Sequence, residues 1–275
     1  MPDSPRDKVL ILGGTGEALT LAQRLAGLPE VSVITSLAGR TRDPALPAGQ
    51  VRVGGFGGIA GLVAYLKENA ITQLVNATHP FAATMSAHAL AAHRESGVPL
   101  LRLLRPAWHK QPHDTWIKAP NVKGAAAICR WLGKRVLLAV GSQDVAQFAD
   151  LPRAHFFVRM VDPPQTPLPF ASAEAIVAKG PFKLADERRL LLEHNIDLIV
   201  AKNSGGDATF AKIVAARELA IPVVMIERPE IALQPGSETV DSVGAAADWV
   251  SAHLHAQIVR KLRTGDSSAT SGDSA

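Results

Sequence analysis

Five short runs in this 275-residue sequence hold residue types from which a binding or catalytic site can be built. In the first, Gly13-Gly14-Thr15-Gly16-Glu17 follows the apolar run at 8–12, and a helical pattern (Ala18, Leu19, Leu21, Ala22, Leu25) begins at once. Glycines there let backbone N–H groups approach a phosphate with no Cβ in the way. The helix start adds unpaired N–H groups and the positive end of a dipole. This is the dinucleotide-binding turn of a βαβ unit, except that Leu19 stands where a third glycine is expected. Alone, the turn suits a bound dinucleotide and a ligand-free strand–helix turn equally.

The second run, Ser36-Leu37-Ala38-Gly39-Arg40, closes the next strand, where an NAD site usually carries an Asp or Glu for the ribose 2′-hydroxyl. No carboxylate is present. A hydroxyl from Ser36 and an arginine fork from Arg40 suit a 2′-phosphate, so NADPH is favoured over NADH, with a solvated surface arginine as the alternative. The third run, Gly54-Gly55-Phe56-Gly57-Gly58, has four glycines in five residues and opens a helix. It would let a cofactor or substrate pass close to the backbone; a flexible loop would have the same composition. The last two, Thr78-His79-Pro80 and Lys202-Asn203-Ser204-Gly205-Gly206, each follow a strand and are expected to face one another across a cleft. They could clasp a nicotinamide carboxamide and present donors to a substrate. His79 and Lys202 are the candidate proton donors. A structural hydrogen bond explains a lone His equally well, and Asn203 and Ser204 could simply cap the following helix.

Cations near these strand ends, Arg102, Arg105, Lys110, Arg159, Lys202 and Arg228, would suit a carboxylate-rich substrate, although ordinary surface charge explains any one of them. His109 and His113 have helical metal-ligand spacing, but Pro112 breaks the helix they would need, so no metal is expected. The single cysteine, Cys129, excludes an internal disulfide and a thiolate cluster. Tyr65 is the one tyrosine and Asn69 stands four residues later, so the Tyr-x-x-x-Lys pair of short-chain dehydrogenases is absent. So are the Gly-x-Ser-x-Gly elbow and the Walker-A lysine.

The net charge of +4 is scattered, with no basic run interleaved with aromatics, and no nucleic-acid partner is expected. No apolar run is long enough to cross a membrane, and no apolar signal region precedes the first strand, so a cytoplasmic protein is expected.

The elements that must position these runs alternate between strand and helix. Strands are expected at 31–35, 51–53, 74–77, 98–105, 135–140, 155–161, 176–179, 198–201 and 222–226, and helices follow each glycine-rich or polar turn. Such alternation gives parallel sheets covered on both faces. Residues 106–120 read as a connecting ribbon, and 242–262 as a last amphipathic helix. The expected division is 1–131 for an NADPH-binding Rossmann-like domain and 132–262 for a second Rossmann-like domain on the substrate side. Residues 263–275 form a Ser/Gly/Asp/Ala tail expected to be disordered. The module 74–106 is echoed at 198–229, including the Val98-Pro99 and Ile221-Pro222 strand starts.

Taken in order over roughly residues 8–250, the five runs resemble the precorrin-6A reductase family of cobalamin biosynthesis, with Thr78-His79-Pro80-Phe81-Ala82 and Lys202-Asn203-Ser204-Gly205-Gly206 the specific motifs. The resemblance implies NADPH-dependent reduction of a macrocycle double bond in precorrin-6A, giving precorrin-6B. The tetrapyrrole substrate carries many acetate and propionate groups, and handover between pathway enzymes is an expected partnership. Reduction of the cobalt-containing ring and a non-catalytic NADPH sensor stand as the alternatives.

Overall fold

The computed structural model describes residues 7–39, 42, 45–230 and 236–264. The amino-terminal half runs β1 (Asp7–Leu12), α1 (Gly16–Ala26), β2 (Val31–Leu37), β3 (Gln50–Val53), α2 (Ile59–Glu68), β4 (Gln73–Asn76), α3 (Ala83–Ser96) and β5 (Leu100–Leu103). There follow β6 (Trp116–Ala119), α4 (Val122–Leu132), β7 (Arg135–Ala139), a 3-10 segment (Ser142–Phe148), β8 (His155–Met160) and β9 (Ala173–Val177). The chain ends through α5 (Leu184–Glu193), β10 (Leu198–Lys202), α6 (Ala211–Glu218), β11 (Val223–Ile226), β12 (Ser237–Val240) and α7 (Val243–Thr264).

Two six-stranded, all-parallel sheets result, ordered β12-β5-β4-β1-β2-β3 and β6-β11-β10-β7-β8-β9. Both are doubly wound, and each reverses direction beside its central strand, between β1 and β4 in one and between β7 and β10 in the other. The runs at 13–17 and 77–80 therefore hang from one switch point, and the run at 202–206 from the other. β4 and β10 hold the same place in their sheets, which is the topological content of the repeated module.

The central parallel strands are buried on both faces, as their apolar runs require, whereas the edge strands β3, β9 and β12 are partly exposed. Residues Leu10, Leu12, Leu62, Leu74 and Ala89 fill one side of the first sheet, and Val9, Ile11, Leu21, Val75 and Leu101 the other. In α1 the small residues Ala18 and Ala22 lie on the buried face, while Leu19 is only half-buried. This is how the helix packs closely without a glycine at 19.

Sheet membership crosses the division expected at residue 131. The ribbon at 106–120 contains β6, which pairs with β11 in the second sheet (Val224 opposite Ile117), so the second sheet begins before that boundary. At the other end β12 pairs with β5 (Thr239 opposite Arg102), and Ala246, Trp249, Val250 and Leu254 of α7 pack into the core beside Val9 and Leu21. Each sheet takes its sixth strand from the far side of the boundary. A four-residue edge strand has too few apolar residues to announce itself, and only its partner's free edge selects it. Helix α7 continues through Thr264; the rest of the expected tail lies outside the described residues.

Candidate active site

The glycine turn after β1 is held from both sides. Thr15 caps α1, its Oγ1 accepting from the Ala18 N–H at 3.1 Å and donating to the Ala77 carbonyl at 2.8 Å, which ties the turn to the end of β4. Gly14 has φ +107°, and a Cβ on Gly14 or Gly16 would meet nothing within 4 Å. The same open space lies over Gly54, Gly55, Gly57 and Gly58. By contrast, a Cβ on Gly13 would come within 2.8 Å of Thr35 Cγ2, so that glycine serves packing. Bare backbone thus lines the carboxyl edge of β1 and β3 where a dinucleotide would lie.

At the β2 edge, Ser36 is buried and accepts from Arg52 Nη1 at 3.2 Å. Arg52 also donates to the carbonyls of Gly54 and Gly55 at 2.6 Å each, and its guanidinium lies 3.8 Å over the Phe56 ring. Phe56 is half-buried between Arg52 and an edge contact with Tyr65. Gly39 takes φ +71°, and Arg40 lies outside the described residues. Arg52 was not singled out from the sequence. Its strand places it opposite Ser36 in register, a relation that appears only when β2 and β3 pair.

Glu17 forms a 2.7 Å ion pair with Arg105 Nη1, which joins the first turn of α1 to the segment after β5. The Nε of Arg105 and the whole guanidinium of Arg228 are committed to backbone. Arg105 Nε donates to the Ser204 carbonyl at 2.7 Å, and Arg228 reaches the carbonyls of Asn203, Arg105, Pro106 and Ser204 at 2.8–3.1 Å. Asn203 accepts from the Trp108 N–H at 2.8 Å and donates to the Trp108 carbonyl at 3.0 Å. Gly205 lies so close to this strap that a Cβ would stand 1.9 Å from the Pro106 oxygen. The Lys-Asn-Ser-Gly-Gly run thus couples the end of β10 to the crossover between the sheets.

Where the sheets meet, a cavity of about 810 Å³ is lined from one side by His79, Phe81 and Met85 and from the other by Arg159, Lys202 and Lys212. The structure brings His79 and Lys202 together, as their motifs require. Thr78 is fixed beside them by Asn76, whose Oδ1 accepts from the Thr78 hydroxyl at 2.7 Å, while Pro80 is buried. Ser204 is also on the lining. Of the cations expected to meet substrate, Arg102, Arg105, Lys110 and Arg228 are not on this lining, whereas Arg42 and Lys212, unmarked in the sequence, are. Lys212 carried a readable signal: it precedes the buried Ala215 and Ala216 by three and four residues on an apolar helix face.

Lys202 Nζ donates to Asp144 Oδ2 at 2.5 Å and stands 5.3 Å over the Phe81 ring. Asp144 belongs to the 3-10 segment after β7. His79 accepts from the Phe81 N–H through Nδ1 at 3.3 Å. Burial, and then the positive charges of Arg105, Lys202, Arg228 and Lys212, push its pKa down to about 4, so the imidazole is neutral near pH 7. Burial and the charge of Arg159 push Lys212 down to about 7, against the pull of Glu187. The Cys129 thiol, on the buried face of α4, is pushed up to about 12 by burial and is no nucleophile. Among the described residues, no group of three or more His, Cys, Asp or Glu could hold a metal ion, and no helix is long and apolar enough to cross a membrane.

Two doubly wound parallel sheets meeting at a cationic cavity, with strand carboxyl ends on its lining, define a two-lobed α/β protein. Comparison with known proteins makes this specific. Residues 8–251 match the family described as precorrin-6x reductase CbiJ/CobK. A precorrin-6A reductase of Rhodococcus erythropolis is 48% identical over 243 residues, covering 88% of this chain and 97% of that protein. A cobalt-precorrin-6A reductase of Salmonella typhimurium is 30% identical over 258 residues, covering 90% and 97%. A solved structure of CobK precorrin-6A reductase superposes with a TM-score of 0.84 at 40% identity, covering 90% of this chain and 97% of that one. The chain belongs to the precorrin-6x reductase family.

Proposed function

We propose that this protein reduces one macrocycle double bond of metal-free precorrin-6A to give precorrin-6B, with NADPH as the reductant. The observation that carries the reading is the pairing of two surfaces. An open, glycine-lined edge runs along β1 and β3, and a cationic cavity at the neighbouring switch points holds His79 and Lys202.

The residues fit the coenzyme. Gly14 and Gly16 offer backbone to a pyrophosphate at the start of α1, and the glycines at 54–58 leave room beside it. No carboxylate stands at Ser36 to grip a ribose 2′-hydroxyl, and the Arg52 guanidinium lies next to that serine. Arg40 would add a second fork to a 2′-phosphate. When bound, NADPH supplies the hydride; positioning and electrostatics fall to the protein. Glu17, closest to the pyrophosphate turn, has its charge matched by Arg105.

At the ring, hydride addition to an electrophilic carbon leaves the neighbouring carbon to take a proton. Lys202, oriented by Asp144 and facing the cavity, is the donor in this reading. His79 stays neutral at working pH and acts as a hydrogen-bonding group toward a substrate arm rather than as the acid. The metal-free substrate is preferred to the cobalt form because identity to the precorrin-6A reductase of Rhodococcus (48%) exceeds that to the cobalt-precorrin-6A reductase of Salmonella (30%). A cytoplasmic location and handover between pathway enzymes remain part of the proposal.

The test is loss of NADPH absorbance with metal-free and cobalt precorrin-6A offered separately. Turnover with the metal-free ring is expected. Preference for the cobalt ring would reverse the substrate assignment, and coenzyme binding without oxidation would mark a sensor. Lys202→Met should lower kcat by about 100-fold or more, the usual scale of a lost general acid, while His79→Gln should act mainly on KM.

A further inference from the structure

Charges on one wall of the cavity do not cancel. Arg159, near the end of β8, and Lys212, in the first turn of α6, both line it, and they are only 9% and 5% exposed. Among the described residues one carboxylate pairs with them: Glu187 of α5, 2% exposed, its two oxygens 2.9 and 3.0 Å from Arg159 Nη1, whereas Asp162, on the same lining, forms no ion pair with either. Glu187 is also the anion acting on Lys212. Arg159 and, in its protonated form, Lys212 thus depend on one carboxylate among the described residues, with both side chains nearly buried.

Their hydrogen bonding is incomplete as well. Arg159 Nε is fully buried and has no partner, while the guanidinium rests 4.5 Å over the Phe182 ring. Lys212 Nζ donates to the Thr209 carbonyl at 2.7 Å and sits 4.8 Å over the Trp108 ring. An ammonium has three donors, and a buried positive charge without a full counter-ion is costly to keep. Such a charge is explained when a ligand brings the missing anion.

We propose that Arg159 and Lys212 form a subsite for one carboxylate of the substrate, an acetate or propionate arm of the tetrapyrrole. The inference rests on the tetrapyrrole reading above and deepens it. A dinucleotide phosphate is the less suitable occupant. Arg159 and Lys212 belong to the second sheet and α6, and none of the glycines at 13–16 lines the cavity. The arm would complete the charge balance around Arg159, Lys212 and Glu187. It would also fix the ring in the plane of the cavity, with Lys202 on the same lining.

Lys212→Met keeps the length of the side chain and removes the charge. Losing one charge-assisted hydrogen bond should raise KM for precorrin-6A, and its Kd by calorimetry, about 10- to 100-fold, with kcat changed less than about threefold. NADPH affinity should stay as in the wild type, and Tm of the ligand-free protein should hold or rise, because an under-compensated buried charge is gone. A structural lysine would show the reverse, with Tm falling and KM unmoved. Lys212→Gln serves if the methionine variant does not fold, with the same expected shift.

Unchanged precorrin-6A affinity in a folded variant overturns the subsite while leaving the reductase reading intact. Weaker NADPH binding would assign the pair to the coenzyme and overturn it too. If the wild type binds precorrin-6A without oxidising NADPH, the reductase reading falls and the Kd comparison still decides the subsite. If it binds no precorrin-6A, both fall.

Discussion

His79 shows how a residue type suggests a role that its surroundings then revise. From the sequence it is a candidate proton donor or a structural hydrogen-bonding group; in the fold it packs beside Phe81, where burial, and then four nearby cations, push its pKa down to about 4. Because the folded value lies below the ordinary one of 6.5, the unfolded chain takes up the proton first as pH falls. The associated stability is intact above pH 6.5 and is lost as pH drops through about 4, a change on the order of 3 kcal/mol. His79→Gln removes that loss. Denaturant unfolding of wild type and variant should therefore diverge in favour of the variant between pH 6.5 and 4, and run parallel above pH 7. Two parallel curves throughout would show that the imidazole is not shielded.

At the scale of elements, the decisive feature is how tightly the turns at strand ends lie on their neighbours. The 54–58 turn enters α2 through Gly58 at φ +92°, and a Cβ on Gly61 in the first turn of that helix would stand 1.7 Å from the Phe56 oxygen. Backbone cannot yield that far. Gly61→Ala should displace the turn, carrying with it Phe56 and the Arg52 contacts to Gly54, Gly55 and Ser36. The expected cost is about 1–3 kcal/mol of stability, with a weaker NADPH Kd by fluorescence titration and little change in precorrin-6A binding. The glycine run itself is plain in the sequence, and its location at a strand end follows from the strand–helix alternation. Gly61 is not marked there, because its requirement comes from a carbonyl five residues earlier that folds back over the helix.

For the whole molecule, the exchange of edge elements makes the two sheets interdependent. β12 and α7 complete the first sheet from the far end of the chain, where Trp249 Nε1 donates to Glu238 at 2.7 Å and Gln73 Nε2 donates to the Val250 carbonyl at 3.3 Å. Burying Trp249, Val250 and Leu254 contributes about 1.5–3 kcal/mol each. A fragment of residues 1–131 lacks these and carries β6 and α4 with no sheet to join. It should fail to give a cooperative unfolding transition by circular dichroism, whereas residues 1–264 should unfold as the full chain does. A cooperative 1–131 fragment would show that the exchanged elements are accessory.

Strand–helix alternation, apolar runs and glycine turns were enough to define two parallel-sheet α/β lobes, and the ordered motifs were enough to point to the reductase family. These are local properties, written in neighbouring residues. What only the tertiary structure decided is which strands close each sheet and which charges face the cavity. Arg105 and Arg228 turned out to brace loops, while Lys212, Arg42 and Asp144 reached the site. Sequence neighbours cannot report this, because a side chain's partner is fixed by packing between segments far apart in the chain, 123 residues for Arg228 and Arg105 and 177 for Gln73 and Val250.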